Sequence, residues 1–146
     1  MMTITQFAKI NKVSEKTVRD WIAKGYIPGA DESSVPDFAR RPYTKTRAKK
    51  GDAIIKSILT ACNNKYGICA DLYGISSAEF NTYIQSLLKS GYINQSKDEG
   101  LIYYNITADG ANILRNWNKK DVLAIIQTVA AVATAAGTMV ASVAVL

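Results

Sequence analysis

The segment SEKTVRDWIAKGYIPG, Ser14–Gly29, predicts a short helix followed by a tight turn. Ser14 is a typical helix-capping residue, because its hydroxyl accepts a hydrogen bond from a backbone N–H of the first turn. Gly25 is expected to end the helix, since glycine readily adopts the left-handed conformation found there. The apolar residues spaced to share one inward face are Val18, Trp21 and Ile22. The outward face is crowded with polar groups.

The residues before Ser14 predict a first helix that can pack against the second. Thr5 is expected to cap a first helix over residues 6–10, which presents Phe7 on its inner side. The pair Asn11-Lys12 indicates a turn between the two helices. Two helices this short bury little apolar surface separately, so we expect them to pack on each other as a helix-turn-helix.

The outward face of the second helix carries side chains that suit contacts with DNA. In a helix-turn-helix this helix lies in the major groove. There an arginine side chain can form two hydrogen bonds to a guanine or a phosphate, and a lysine side chain can reach phosphates. The candidate DNA-binding residues of the helix are Ser14, Lys16, Thr17, Arg19 and Lys24. Asp20 is expected either to accept from a cytosine amine or to orient Arg19. The alternative is a solvated helix face in which Asp20 and Lys24 form an i,i+4 ion pair.

The segment MTITQFAKINKVSEKTVRDWIAKGYIPGA, residues 2–30, resembles the N-terminal helix-turn-helix of excisionase-like and MerR-like DNA-binding proteins. The residues that carry the resemblance are Val13-Ser14, Thr17-Val18-Arg19, Trp21 and Gly25-Tyr26-Ile27-Pro28. VPDFARRPY, Val35–Tyr43, is similar to the wing-end of excisionase-like domains. The resemblance implies a winged helix-turn-helix fold that binds DNA through its second helix.

A basic arm, RRPYTKTRAKK (residues 40–50), follows this region. It contains six basic residues and no acidic one. Basic side chains along DNA phosphates release counterions and add salt-dependent affinity. We therefore interpret the segment as an arm that contacts DNA, with a solvated linker as the alternative. The candidate residues of the arm are Arg40, Arg41, Tyr43, Lys45, Arg47, Lys49 and Lys50.

Residues 51–120 predict a second small unit with the order helix, helix, helix, hairpin, helix. Ser76 opens the third helix as part of a capping box, and Thr107 caps the last helix. Two runs of β-forming residues on either side of KDEG (residues 97–100) predict the hairpin. This order is that of a winged helix, and the combination of LLKSGYI with ITADGANIL resembles the ending of many bacterial winged-helix regulators.

The third helix of this second unit offers a polar face that is almost neutral in charge. The candidate residues for a second DNA contact are Asn81, Gln85, Lys89 and Lys97. Winged helices also serve as dimerisation and partner-binding modules. Contact with DNA, contact with a protein and formation of a homodimer are therefore all left open for this unit.

Residues 122–146 contain no charged residue. As a helix rising about 1.5 Å per residue, they would exceed the ~30 Å of a bilayer's hydrocarbon core. The basic residues Arg115, Lys119 and Lys120 precede the run, which favours a cytoplasmic location for the N-terminal side. We therefore predict a transmembrane helix that anchors cytoplasmic domains. A C-terminal helix buried in a soluble dimer is the alternative.

The composition restricts the classes of function. The net charge is +6, and residues 1–50 hold eleven Lys and Arg against five Asp and Glu, which favours an anionic partner. The chain has no His and two cysteines, Cys62 and Cys69, too few ligands for a zinc site. Cys62 lies on an apolar helical stripe and is expected in the core. Without a phosphate-binding glycine loop or a His base, we expect no enzyme, no cofactor and no metal.

These features together predict a mainly helical fold with one small β-hairpin. A helix-turn-helix domain (residues 1–46, with the arm to about 50) and a winged-helix domain (51–120) stand in tandem before a hydrophobic helix (121–146). The predicted function is sequence-specific binding of double-stranded DNA by a bacterial or phage-type transcriptional regulator that is tethered to the membrane. The alternatives are an excisionase-type factor that bends recombination sites and a membrane-anchored adaptor whose winged helix binds protein.

Overall fold

The structure, a computed structural model of the chain, describes the backbone of residues 1–44 and 51–145, and the side chains of residues 1–44 and 51–133. Over these ranges the predicted fold class is confirmed: the chain is mainly helical, with one antiparallel hairpin. The helices are α1 (Ile4–Asn11), α2 (Glu15–Ala23), α3 (Gly51–Asn63), α4 (Ala70–Tyr73), α5 (Ser77–Lys89), α6 (Ala108–Arg115) and α7 (Lys120–Val145). The strands are β1 (Ile93–Asp98) and β2 (Leu101–Ile106).

The first unit, residues 1–44, is built on the packing of α1 against α2. Thr3, rather than Thr5, caps α1, because its side chain accepts from the N–H of Gln6 while the Gln6 side chain accepts from the N–H of Thr3. Ser14 caps α2 as expected, accepting from the N–H of Thr17 at 3.1 Å. The buried core of the unit consists of Ile4, Phe7, Ala8, Val18, Trp21, Ile27 and Val35.

The chain beyond α2 closes the first unit with little regular structure. Gly25 has a φ of +76°, the left-handed conformation expected at the end of a helix. Val35 then forms an antiparallel bridge with Met2, with two backbone hydrogen bonds of 2.8 Å. Residues 1–44 contain no strand, so this bridge is the β-structure found where the resemblance implies a wing.

The second unit has its own core between α3, α5, α6 and the hairpin. Ile58, Leu59 and Leu87 lie fully buried at its centre. Cys62 belongs to this core, as expected, and burial raises the pKa of its thiol to about 12. The hairpin turns at Glu99-Gly100, where both residues have positive φ, as the central residues of a type I′ turn do.

Helix α7 begins inside the second unit. The buried residues of its first half recur along one face and join the core of that unit: Val122, Ile126, Val129 and Ala133. This face packs against α3 and α5. Burial against protein thus accounts for this stripe, whereas Leu123, Ile125 and Val132 of the same helix are exposed.

The prediction of a transmembrane helix over residues 122–146 is wrong. In the described part of the chain, no helix combines the length and the apolarity that a membrane span requires. The side chains beyond Ala133 lie outside the described residues.

Arg40 joins the two units. Its guanidinium donates to the carbonyl oxygen of Tyr104 at 2.6 Å and to Oδ1 of Asn105 at 2.5 Å, both on the hairpin. The same group lies 5.2 Å from the centre of the Tyr103 ring, which Phe38 contacts edge-on. The first unit is therefore held against the second by a charged side chain with several partners.

Candidate nucleic-acid interface

Helix α2 packs on α1 by one face and leaves the other at the surface. Val18 and Trp21 fill the inner face. On the outer face Lys16, Arg19 and Lys24 are exposed. The N-terminal turn of the helix therefore presents basic side chains to solvent in the way that a recognition helix would need.

The cations of α2 are partly paired with carboxylates of the same helix. Arg19 lies 3.4 Å from Glu15 and Lys24 lies 3.1 Å from Asp20, each an i,i+4 pair. The hydrogen bond and charge of Asp20 raise the pKa of Lys24. Such exposed pairs are weak, but the same carboxylates would repel a phosphate brought beside them.

The ion pair between Asp20 and Lys24 is the pair expected if the outer face of α2 is only a solvated helix face. Arg19 bonds Glu15, so the side chain that orients it is Glu15 and not Asp20. Glu15 is itself held by the hydroxyl of Thr5, at 2.5 Å. Both interpretations of α2 remain compatible with this geometry, because an exposed pair neither prevents nor requires a DNA contact.

Two of the polar residues assigned to α2 stabilise the start of the helix. The Ser14 hydroxyl lies 2.9 Å from the Thr17 hydroxyl and also accepts from the Thr17 N–H. Ser14 is exposed and Thr17 is half-buried. Capping therefore accounts for both residues, and a phosphate contact by Ser14 would have to compete with the cap.

The start of the basic arm is occupied by contacts within the protein. Arg40 bonds the hairpin, whereas Arg41 donates to the carbonyl oxygen of Asn11 at 3.0 Å and lies over the Trp21 ring. Tyr43 packs against the ring of Tyr66. These three residues thus have structural roles, and we do not assign them to DNA. The other candidates of the arm lie outside the described residues: Lys45, Arg47, Lys49 and Lys50.

The candidate residues of the second unit stand on two surfaces. Asn81, Gln85 and Lys89 are exposed on α5, and Lys97 is exposed on β1. Helix α7 runs beside the exposed face of α5, and the two helices form a groove of about 490 Å³. Val132 of α7, which is 57% exposed, lines this groove. The polar face of α5 therefore has an apolar neighbour, which is unfavourable for a duplex backbone.

Two exposed lysines were not singled out from the sequence. Lys12 follows α1 and Lys65 follows α3, and both have positive φ, at 56° and 58°. A shared Asn-Lys pair is the available signal: Asn11-Lys12 stands at the end of α1, and Asn64-Lys65 directly follows α3. From the sequence, only Asn11-Lys12 of these two pairs is predicted as a turn.

Ligands for a metal are not gathered anywhere in the part of the chain that the structure describes. No group of three or more His, Cys, Asp or Glu residues is found there.

No protein-family model, no curated protein and no solved structure matches this chain. The resemblance of residues 2–30 to excisionase-like and MerR-like proteins therefore remains a prediction.

Proposed function

We propose that this protein binds double-stranded DNA sequence-specifically and acts as a transcriptional regulator, with α2 as the recognition helix. The observation that carries the proposal is the placement of α2. It is capped by Ser14, anchored by Val18 and Trp21, and exposes Lys16 and Arg19 on its first turns. A capped helix that exposes Lys16 and Arg19 on its first turns suits the major groove.

The alternative recognition helix, α5, is less suitable. Its exposed face borders α7, whose Val132 lies at the surface of the shared groove. A phosphate placed beside Val132 would find no partner in that side chain, and Lys89 is the only cation among the described residues that line the groove. We therefore assign the DNA contact to the first unit, which Arg40 holds against the second unit.

The test is the contribution of Arg19 to specificity. A binding site is first selected from a pool of randomised duplexes with the parent protein, and affinities are then measured by fluorescence anisotropy. Arg19→Ala should lower the affinity for the selected site by about 1–3 kcal/mol and should weaken binding to a scrambled duplex far less. Its only described partner is the exposed Glu15, so the fold should persist.

Arg115→Ala is the matched control, because Arg115 is also an exposed helical arginine but lies at the end of α6. It should bind the selected site as the parent does. If Arg19→Ala and Arg115→Ala bind equally well, α2 is not the recognition helix. If the parent enriches no sequence from the pool, the proposal of sequence-specific binding fails.

A further inference from the structure

A basic groove lies at the junction of the two units, away from the α5–α7 groove. It has a volume of about 500 Å³. Four cationic residues line it: Lys12, Arg40, Arg41 and Lys65. Of the described residues that line it, none is acidic. The junction groove thus differs from α2, where each of two cations has a carboxylate beside it.

The groove is lined by residues at the C-terminal ends of α1 and α3. Arg41 connects them, because its side chain donates to the carbonyl of Asn11 and its own carbonyl accepts from the N–H of Gly67 at 2.8 Å. The N–H of Tyr43 returns a bond to the carbonyl of Gly67 at 2.9 Å. These bonds place the lysines that follow the two helices on the same groove.

The two helix ends are built alike. Asn11 donates to the carbonyl four residues earlier in α1, and Asn64 does the same at the end of α3. Each is followed by a lysine in the left-handed conformation, which non-glycine residues seldom adopt. Among the described residues neither Lys12 nor Lys65 has an ion-pair or hydrogen-bond partner for its ammonium group. Two unpaired cations are therefore presented together.

We propose that the junction groove binds a phosphate segment of the DNA backbone, with Lys12 and Lys65 as the contacting residues. Arg40 and Arg41 shape the groove and add to its positive potential, while their guanidinium groups stay bonded to the protein. This inference rests on the proposed function and adds to it a contact without sequence preference. The groove binds any duplex, and α2 selects the sequence.

The test uses the double variant Lys12→Asn/Lys65→Asn in the full chain. Asparagine tolerates the left-handed conformation better than most residues, so the helix ends should be preserved while both charges are removed. Affinity is measured by anisotropy for the selected duplex and for a scrambled one, over a range of salt. The variant should lose affinity for both duplexes by the same factor, and the log–log salt slope should flatten by roughly 0.9 for each lost contact.

The matched control is Lys119→Asn/Lys120→Asn, which removes two exposed lysines at the start of α7. It should keep the parent slope. If Lys12→Asn/Lys65→Asn keeps the parent's affinity and salt slope while Arg19→Ala loses specificity, the groove does not bind the DNA backbone. The proposed function would still stand. A lower thermal stability with an unchanged slope would also overturn it, since the lysines would then act only on the helix dipoles. Failure of the parent to bind either duplex at low salt would overturn both proposals.

Discussion

Two buried tyrosines differ in whether the side-chain hydroxyl has a hydrogen-bond partner. Tyr73 and Tyr103 are 7% and 8% exposed. The hydroxyl of Ser57 donates to that of Tyr73 at 3.3 Å. The hydroxyl of Tyr103, by contrast, has no hydrogen-bond partner among the described residues. Burying a hydroxyl without a partner opposes folding, because its bonds to water are lost and not replaced.

Substitution by phenylalanine should therefore affect the two tyrosines differently. Tyr73→Phe removes a hydrogen bond and should lower the free energy of unfolding by about 0.5–1.5 kcal/mol. Tyr103→Phe removes only an unpaired group, so the free energy of unfolding should stay the same or rise. Urea denaturation of both variants checks this. An equal loss in the two variants would mean that the Tyr103 hydroxyl has a partner after all.

Helix α6 packs through backbone atoms against Gly91 and Tyr92, which directly precede β1. The N–H of Thr107 donates to the carbonyl of Tyr92 at 3.1 Å, and the Thr107 hydroxyl donates to the carbonyl of Gly91 at 2.6 Å. Gly110, one turn into α6, lies so close that an added Cβ would be 2.0 Å from the carbonyl oxygen of Tyr92. The helix can approach the hairpin this closely only because position 110 lacks a side chain.

Gly110→Ala should therefore push α6 away from the hairpin. Overpacking costs about 1–3 kcal/mol, and the upper end is expected because the opposing atom belongs to the backbone. The exposed neighbour Asp109 gives the control: Asp109→Ala should cost no more than about 1 kcal/mol, from the loss of a favourable charge at a helix start. Thermal unfolding followed by circular dichroism distinguishes the two. Similar midpoints would contradict the close approach.

Elements specified by local interactions were predictable from the sequence. The caps at Ser14, Ser76 and Thr107 each involve residues within three positions, and the hairpin turn is contained in four residues. Helix α7 was misinterpreted, because a helix without charge has the same composition whether lipid or protein covers it. A signal was present in the stripe of Val122, Ile126, Val129 and Ala133, whose spacing is typical of a helix that buries one face.

Across the whole molecule, the partners of Arg40 could not be predicted from the sequence. Its charge suggested a contact with DNA, but its partners lie on β2, 64 and 65 positions away. Such a pairing depends on how the two units meet and leaves no local pattern. The same holds for the junction groove, which brings Lys12 and Lys65 to one surface only after both units have folded.

Removal of Arg40 should uncouple the units. Arg40→Ala deletes two charged hydrogen bonds, each worth about 1.5–3 kcal/mol, so the first unit should unfold at lower urea than the second. In the Trp117→Phe background, Trp21 fluorescence follows the first unit, and circular dichroism follows the helices of both. Arg115→Ala serves as the control. Coincident transitions at the parent midpoint in Arg40→Ala would contradict the coupling.

The central claim, that α2 contacts DNA, is tested most directly by a nuclear magnetic resonance titration of ¹⁵N-labelled full-length protein with the selected duplex. We expect the largest changes in amide signals at residues 15–24, with further changes at Lys12 and Lys65. Signals from the polar face of α5, at Asn81 and Gln85, should stay in place. Changes centred on α5 and α7, with residues 15–24 unaffected, would show that α2 does not contact the DNA.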